Sequence, residues 1–203
     1  MKHYDFSTKD SWEFKRARKR SLERVAPNLF KKFGNDICGV FGNPKTVLNI
    51  GARKSRFDFK EEFLDAGYQI TVLEPFKPSV EYLKTLPELH EVVLGDVRDL
   101  SIFIDKGQKF DVVFWWHGPE HIVESDLRKV FPELEKICNY MIVLGCPWGY
   151  CPQGVHYGNK QEEHVGFYDY KIFEEHGYTV ECLGKKDVSR SNITSVKELR
   201  KNV

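Results

Sequence analysis

Thr46-Val47-Leu48-Asn49-Ile50-Gly51-Ala52-Arg53-Lys54-Ser55-Arg56 decides how the rest of the chain is read. Val47, Leu48 and Ile50 make a short buried strand that stops at Gly51, where the backbone must turn tightly and approach whatever binds there. Beyond it, Phe57, Phe59, Phe63, Leu64 and Ala66 stand between charged residues in an amphipathic helical pattern that Gly67 ends. Strand, glycine turn and helix form the first half of a nucleotide-binding βαβ unit, whose ligand lies beyond the strand's carboxyl end.

Further βα units follow. Gln69–Glu74 is a second strand ending in a carboxylate and then Pro75, and Ser79–Leu86 is a helix. Glu91–Gly95 is a third strand running into Asp96, with one helical turn at Ile102–Lys106. Phe110–Trp116 is a fourth strand whose near-continuous hydrophobicity makes it central and covered on both faces. A helix carrying Leu127, Val130, Phe131 and Leu134 on one side leads to a fifth strand at Tyr140–Gly145. The alternation then breaks at Cys146–Lys160, whose glycines, prolines and aromatic residues suit a loop that covers a site. Asp169–His176 is a helix, Tyr178–Leu183 a strand and Ile193–Val196 a weak strand. Upstream, Ser11–Phe33 reads as one helix, or as two meeting near Ala26 because Pro27 interrupts the pattern, and Gly34–Pro44 is a linker. The expectation is a Rossmann-like α/β fold: about seven mostly parallel strands, helices on both faces, an N-terminal helical cap over residues 1–44 and the main domain over 45–203.

Composition narrows the function. The 203 residues carry a formal net charge of +1, which favours no nucleic-acid partner. One basic run, Lys15-Arg16-Ala17-Arg18-Lys19-Arg20, reads either as a solvated helix face or as a contact for a phosphate-bearing substrate. The five cysteines are scattered, and without a secretory leader the expected compartment is a reducing cytoplasm. No apolar run approaches the length that spans a bilayer, and oligomeric state is not legible.

Four motifs in this order resemble the class I S-adenosylmethionine-dependent methyltransferases, over about Thr46–Gly184. They are Val47–Ala52, Val72-Leu73-Glu74-Pro75, Gly95–Leu100, and Phe110–Val113 running through His117-Gly118-Pro119-Glu120-His121-Ile122. His164-Val165-Gly166-Phe167-Tyr168 is similar to the small-molecule (type 11-like) branch of that family. The resemblance implies S-adenosyl-L-methionine as cofactor, a small-molecule methyl acceptor, and Asn49, Gly51, Ala52, Arg53, Glu74, Pro75, Asp96, Val97 and His117 around the cofactor. Asp96 would hold the adenine amino group, with Val97 supplying a backbone N–H. The first motif departs from the family pattern: an acidic residue is usual at Asn49, and further glycines at Arg53, Lys54 and Ser55.

The residues support some of these roles directly. Glu74, about twenty residues past the glycine turn, is placed to accept both ribose hydroxyls. Methyl transfer depends mainly on aligning the acceptor atom behind the methyl group, and some acceptors also need a base near neutral pH. His117, just past the fourth strand, is the first candidate base and equally a cofactor contact, with His164 and His156 behind it. Trp116, Trp148, Tyr150 and Tyr157 are candidates for an acceptor pocket, although Trp115 and Trp116 point to opposite faces and one of them is core. Gly118-Pro119 breaks any helix joining His117 to His121, and no metal-binding spacing occurs, so no metal is expected. Two other readings remain: a methyltransferase-like domain that binds without turnover, and a nicotinamide oxidoreductase, which the missing glycines weaken.

Overall fold

The computed structural model describes residues 11–30, 45–54, 57–156 and 158–199; Phe33, the expected linker Gly34–Pro44, Cys38, Ser55 and Tyr157 lie outside them. In chain order the elements are α1 (Ser11–Val25), β1 (Lys45–Ile50), α2 (Lys60–Asp65), β2 (Tyr68–Glu74), α3 (Lys77–Leu83) and β3 (Glu91–Leu94). They continue as α4 (Ser101–Ile104), β4 (Phe110–Trp116), α5 (Glu124–Lys136), β5 (Cys138–Cys146), α6 (Lys171–Glu175), β6 (Thr179–Leu183) and β7 (Asn192–Glu198). α1 stops at Val25, two residues before Pro27, which has no N–H to continue the ladder.

The strands form one seven-stranded sheet in the order β3-β2-β1-β4-β5-β7-β6. The pairs among β1 to β5 are parallel, whereas β7 runs antiparallel to both β5 and β6. This is the 3-2-1-4-5-6 order of dinucleotide-binding sheets with one antiparallel strand inserted before the last position. The weak strand at Ile193–Val196 is therefore a seven-residue strand, masked in the sequence by its polar residues. Asn192, Thr194 and Ser195 are fully buried there, and their side chains bond to each other and to strand carbonyls.

Period-two alternation splits the core into two layers. Leu48 and Ile50 of β1, Val113 and Trp115 of β4, and Ile142 and Leu144 of β5 pack with Phe103, Leu127, Phe131 and Phe173 from α4, α5 and α6. Val47, Val112, Phe114, Trp116, Met141 and Val143 face the other way, against Leu22 and Leu29 of the N-terminal segment, Phe63 of α2 and Leu83 of α3. Ser21 reaches Thr194 of β7, Arg24 pairs with Glu181 of β6, and Tyr68 donates to the Leu29 carbonyl at 2.8 Å. The N-terminal segment is thus an integral cover of the sheet. Among the described residues, no helix is long and apolar enough to cross a membrane.

Candidate functional site

The chain passes from β1 outward through β2 and β3, then crosses back to place β4 on the other side of β1. Loops leaving β1 and β4 therefore diverge at their carboxyl ends, and a cleft opens there. It encloses about 650 Å³ including its open mouth, and is lined by Ile50, Gly51, Arg53, Glu74, Pro75 and Asp96, among others.

Gly51 makes the turn at φ 82°, a left-handed conformation, with no atom within 4 Å of the position a Cβ would occupy. Its N–H donates to the Leu73 carbonyl at 2.9 Å, which locks the turn of β1 to the end of β2. Glu74 is the last residue of β2, only 5% exposed, and its carboxylate accepts the Phe76 N–H at 2.9 Å. Burial pushes its pKa up from the ordinary 4.5 to about 7, with the neighbouring Glu162 carboxylate adding to the shift and Arg53 and the Phe76 bond opposing it. A buried carboxylate held this high lacks partners in keeping with its charge, and a pair of ligand hydroxyls would supply them.

The two arginines of the cleft wall are already engaged. Arg53 pairs with Glu162 at 2.8 Å, joining the β1 turn to the loop after β5 across the cleft mouth. Arg98 binds the Asp96 carboxylate through Nε at 2.9 Å and Nη2 at 2.6 Å, and this contact holds the Asp96 pKa below the usual carboxylate range. Lys54 lies over the Tyr82 ring, 5.2 Å from its centroid, and is not part of the wall. Glu74, Asp96 and Glu162 share the wall with Arg53 and Arg98, so the cleft carries an excess of negative charge, complementary to a cationic ligand, when Glu74 is ionised above about pH 7.

Beyond β4 the chain enters the site at His117, which takes φ 52°, unusual for a residue with a Cβ. Gly118 follows because the Trp115 indole lies against its backbone, where a Cβ would overlap the ring. Arg18, 7% exposed on the inner side of α1, donates from Nη1 to His117 Nε2. A guanidinium can only donate, so the His117 proton resides on Nδ1, which faces Glu120 Oε1 at 3.2 Å. Arg18, His117 and Glu120 form one buried chain of hydrogen bonds from the N-terminal helix to the cleft.

Of the residues expected around the cofactor, Gly51, Arg53, Glu74, Pro75, Asp96, Val97 and His117 all line this one cleft. Asn49 and Ala52 do not: Asn49 shares the face of Val47, pointing into the layer under α1 and α2, and Ala52 is buried in that layer. His164 is not a wall residue either; its Nδ1 sits 2.5 Å from the Cys151 carbonyl. His156 is exposed on the loop, Trp148 and Trp116 belong to the two core layers, and Tyr150 packs on Phe167 at the surface. Trp115 is the β4 indole that reaches the cleft. His121, Asn159, Gln161 and Glu162 also line the wall without having been foreseen. Their one sequence signal was membership of the Glu120-His121 pair and of the loop after β5.

A parallel sheet with one inserted antiparallel strand, a glycine turn and a buried carboxylate at adjacent strand tips defines the fold of the class I S-adenosylmethionine-dependent methyltransferases. Solved structures agree. The chain superposes on the N-methyltransferase NodS from Bradyrhizobium japonicum WM9 with a TM-score of 0.60 at 13% identity, over 93% of this chain and 98% of that one. It superposes on DhpI, solved as a complex with SAH, with a TM-score of 0.61 at 11% identity, over 94% and 88% of the two chains. Magnesium protoporphyrin IX methyltransferase (ChlM) from Synechocystis PCC 6803, solved with bound SAM, gives 0.55 at 11% identity, over 98% and 86%. No family model matches the sequence, and no curated protein does.

Proposed function

We propose that this protein binds S-adenosylmethionine in the cleft and transfers its methyl group to a small-molecule acceptor. The observation that carries this reading is the buried Glu74 carboxylate at the tip of β2, 2.9 Å from the next backbone N–H and beside the left-handed Gly51 turn. In this reading Glu74 accepts the ribose hydroxyls, Gly51 lets the backbone approach the cofactor, and Asp96 and Val97 border the adenine. With Glu74 ionised, the negative excess of the wall suits the sulfonium. The fold likeness to proteins solved with SAH or SAM supports the same ligand.

The acceptor side depends on alignment more than on proton removal. His117 Nε2 is taken by Arg18, so His117 acts as a positioning residue at the mouth of β4. This favours acceptors whose lone pair is available at neutral pH. Thermal-shift and calorimetric titrations with S-adenosylmethionine, S-adenosylhomocysteine and NAD test the cofactor assignment. The first two are expected to bind one per chain and, at about a hundred times their dissociation constant, to raise the melting temperature by about 5–10 °C. NAD is expected to leave it unchanged; a preference for NAD would make the oxidoreductase reading the better one.

A further inference from the structure

At the rim of the cleft stands a group of side chains to which the proposed methyl transfer assigns no chemical step. Glu120 and His121 lie on the single 3-10 turn Pro119–His121 that follows β4, and His164 lies on the loop after β5. The Glu120 carbonyl accepts the N–H groups of both Val165 and Gly166 at 2.9 Å, which stitches that loop to the turn. Tyr168 adds a bond from its hydroxyl to the Ile122 carbonyl at 2.5 Å. The stitching holds one ligand-type atom each of Glu120, His121 and His164 within 4.8 Å of one another, and His164 Nε2 is 4.0 Å from Glu120 Oε1.

The hydrogen bonds around the group orient it as metal sites are oriented. His164 Nδ1 lies 2.5 Å from the Cys151 carbonyl, and His121 Nδ1 lies 3.2 Å from the Glu163 carbonyl. A carbonyl can only accept, so both rings carry their proton on Nδ1 and a lone pair on Nε2, which in His164 is the atom 4.0 Å from Glu120 Oε1. An imidazole N–H given to a backbone carbonyl is the usual outer support of a metal-bound histidine. Glu120, 2% exposed, receives the corresponding bond from His117 Nδ1 at 3.2 Å, backed in turn by Arg18.

We propose that Glu120, His121 and His164 form a binding site for a divalent transition metal such as zinc, held by two imidazole nitrogens and one carboxylate. At metal–ligand distances of about 2.0–2.2 Å, tetrahedral ligands stand about 3.4 Å apart, so the three groups need to draw together by roughly an ångström. Two imidazoles and a carboxylate suit zinc and its first-row neighbours better than magnesium or calcium, which prefer all-oxygen sets. Three protein ligands leave a fourth position open, as in catalytic rather than structural zinc centres. His121 belongs to both the donor set and the cleft wall, so the metal stands at the rim of the cleft.

The test needs no cofactor or acceptor, and its failure leaves the methyltransferase reading intact. Protein stripped with a chelator is titrated with zinc chloride by calorimetry, and with cobalt(II) by visible absorption. One equivalent is expected to bind, with cobalt showing the intense bands of a low-coordinate nitrogen and oxygen site. His121→Ala and His164→Ala are each expected to weaken zinc binding by about a hundredfold or more, beyond the usual cost of losing an outer hydrogen-bond partner. His156→Ala should match the unaltered protein. If His164→Ala does not fold, as judged by circular dichroism, the partly exposed His121 carries the test. No stoichiometric uptake by the folded protein, or uptake that persists in the histidine variants, would overturn the proposal.

Discussion

Glu74→Gln is expected to weaken S-adenosylhomocysteine binding at least tenfold while raising the melting temperature of the ligand-free protein. The two effects share one cause. Burial holds the carboxyl at about 7, so ionising it costs folded-state free energy at higher pH. Between its ordinary 4.5 and about 7 the folded state binds more protons than the unfolded state, so Glu74 lowers stability as pH rises across that window. Removing the charge relieves the cost above pH 7 but also turns one of the two acceptor oxygens facing the ribose hydroxyls into an N–H donor and leaves the other neutral. Hydrogen bonds to a charged group contribute about 1.5–3 kcal/mol, hence the tenfold or greater loss. Because the ionised form is the one that binds, affinity for S-adenosylhomocysteine in the unaltered protein should rise about tenfold per unit of pH below 7 and level off above it. Calorimetry from pH 5.5 to 8.5 measures this directly. A variant that is less stable and binds normally would make Glu74 a structural residue.

Phe114→Ala is expected to destabilise the protein by about 3–5 kcal/mol, the usual cost of removing a buried phenylalanine. Phe114 is fully buried in the middle of β4, with Phe63 edge-on at 5.1 Å, Phe59 at 5.6 Å and Trp116 stacked at 5.6 Å. Losing the ring removes the contact that Phe63 of α2 makes with this strand and leaves Phe59 only its contact with Trp116, and the neighbours cannot all collapse into the space. For a chain of this length the melting temperature should fall by roughly 10 °C or more. Urea denaturation measures the free energy. A loss below about 1 kcal/mol would mean that this layer is not packed as described.

The sheet was legible because its central strands are apolar on both faces and end at punctuating glycines. Phe110–Trp116 and Val47–Ile50 could hardly be anything else. Glu74 was legible for a related reason: an acid directly after three apolar strand residues stands out at a strand tip. Asn49 stands outside the cleft lining, because the alternation that carries Val47 to the α1 side carries Asn49 with it. β7 was understated because three of its buried residues, Asn192, Thr194 and Ser195, are polar and bond to one another, to Ser21 and to strand carbonyls, a pattern that hydrophobicity cannot signal.

Arg18 was the least legible of the site residues. Among five neighbouring basic residues only tertiary contact singles it out, through Asp58 at 3.7 Å and the bond to His117. The other branch of the basic run's reading, a solvated face, describes Lys15, Arg16 and Arg20, which are exposed. Glu120 and His164 come together from segments over forty residues apart, and only the backbone bonds of Val165 and Gly166 show why. Spacing along the chain carries no trace of that juxtaposition.

A crystal structure with S-adenosylhomocysteine tests the central assignment most directly. The ribose hydroxyls are expected on the Glu74 carboxylate, the adenosyl group over Gly51 and between Pro75 and Val97, and the Arg53–Glu162 pair shifted to admit the ligand. Density for the ligand elsewhere, or a cleft still closed by Arg53 at saturating ligand, would contradict it.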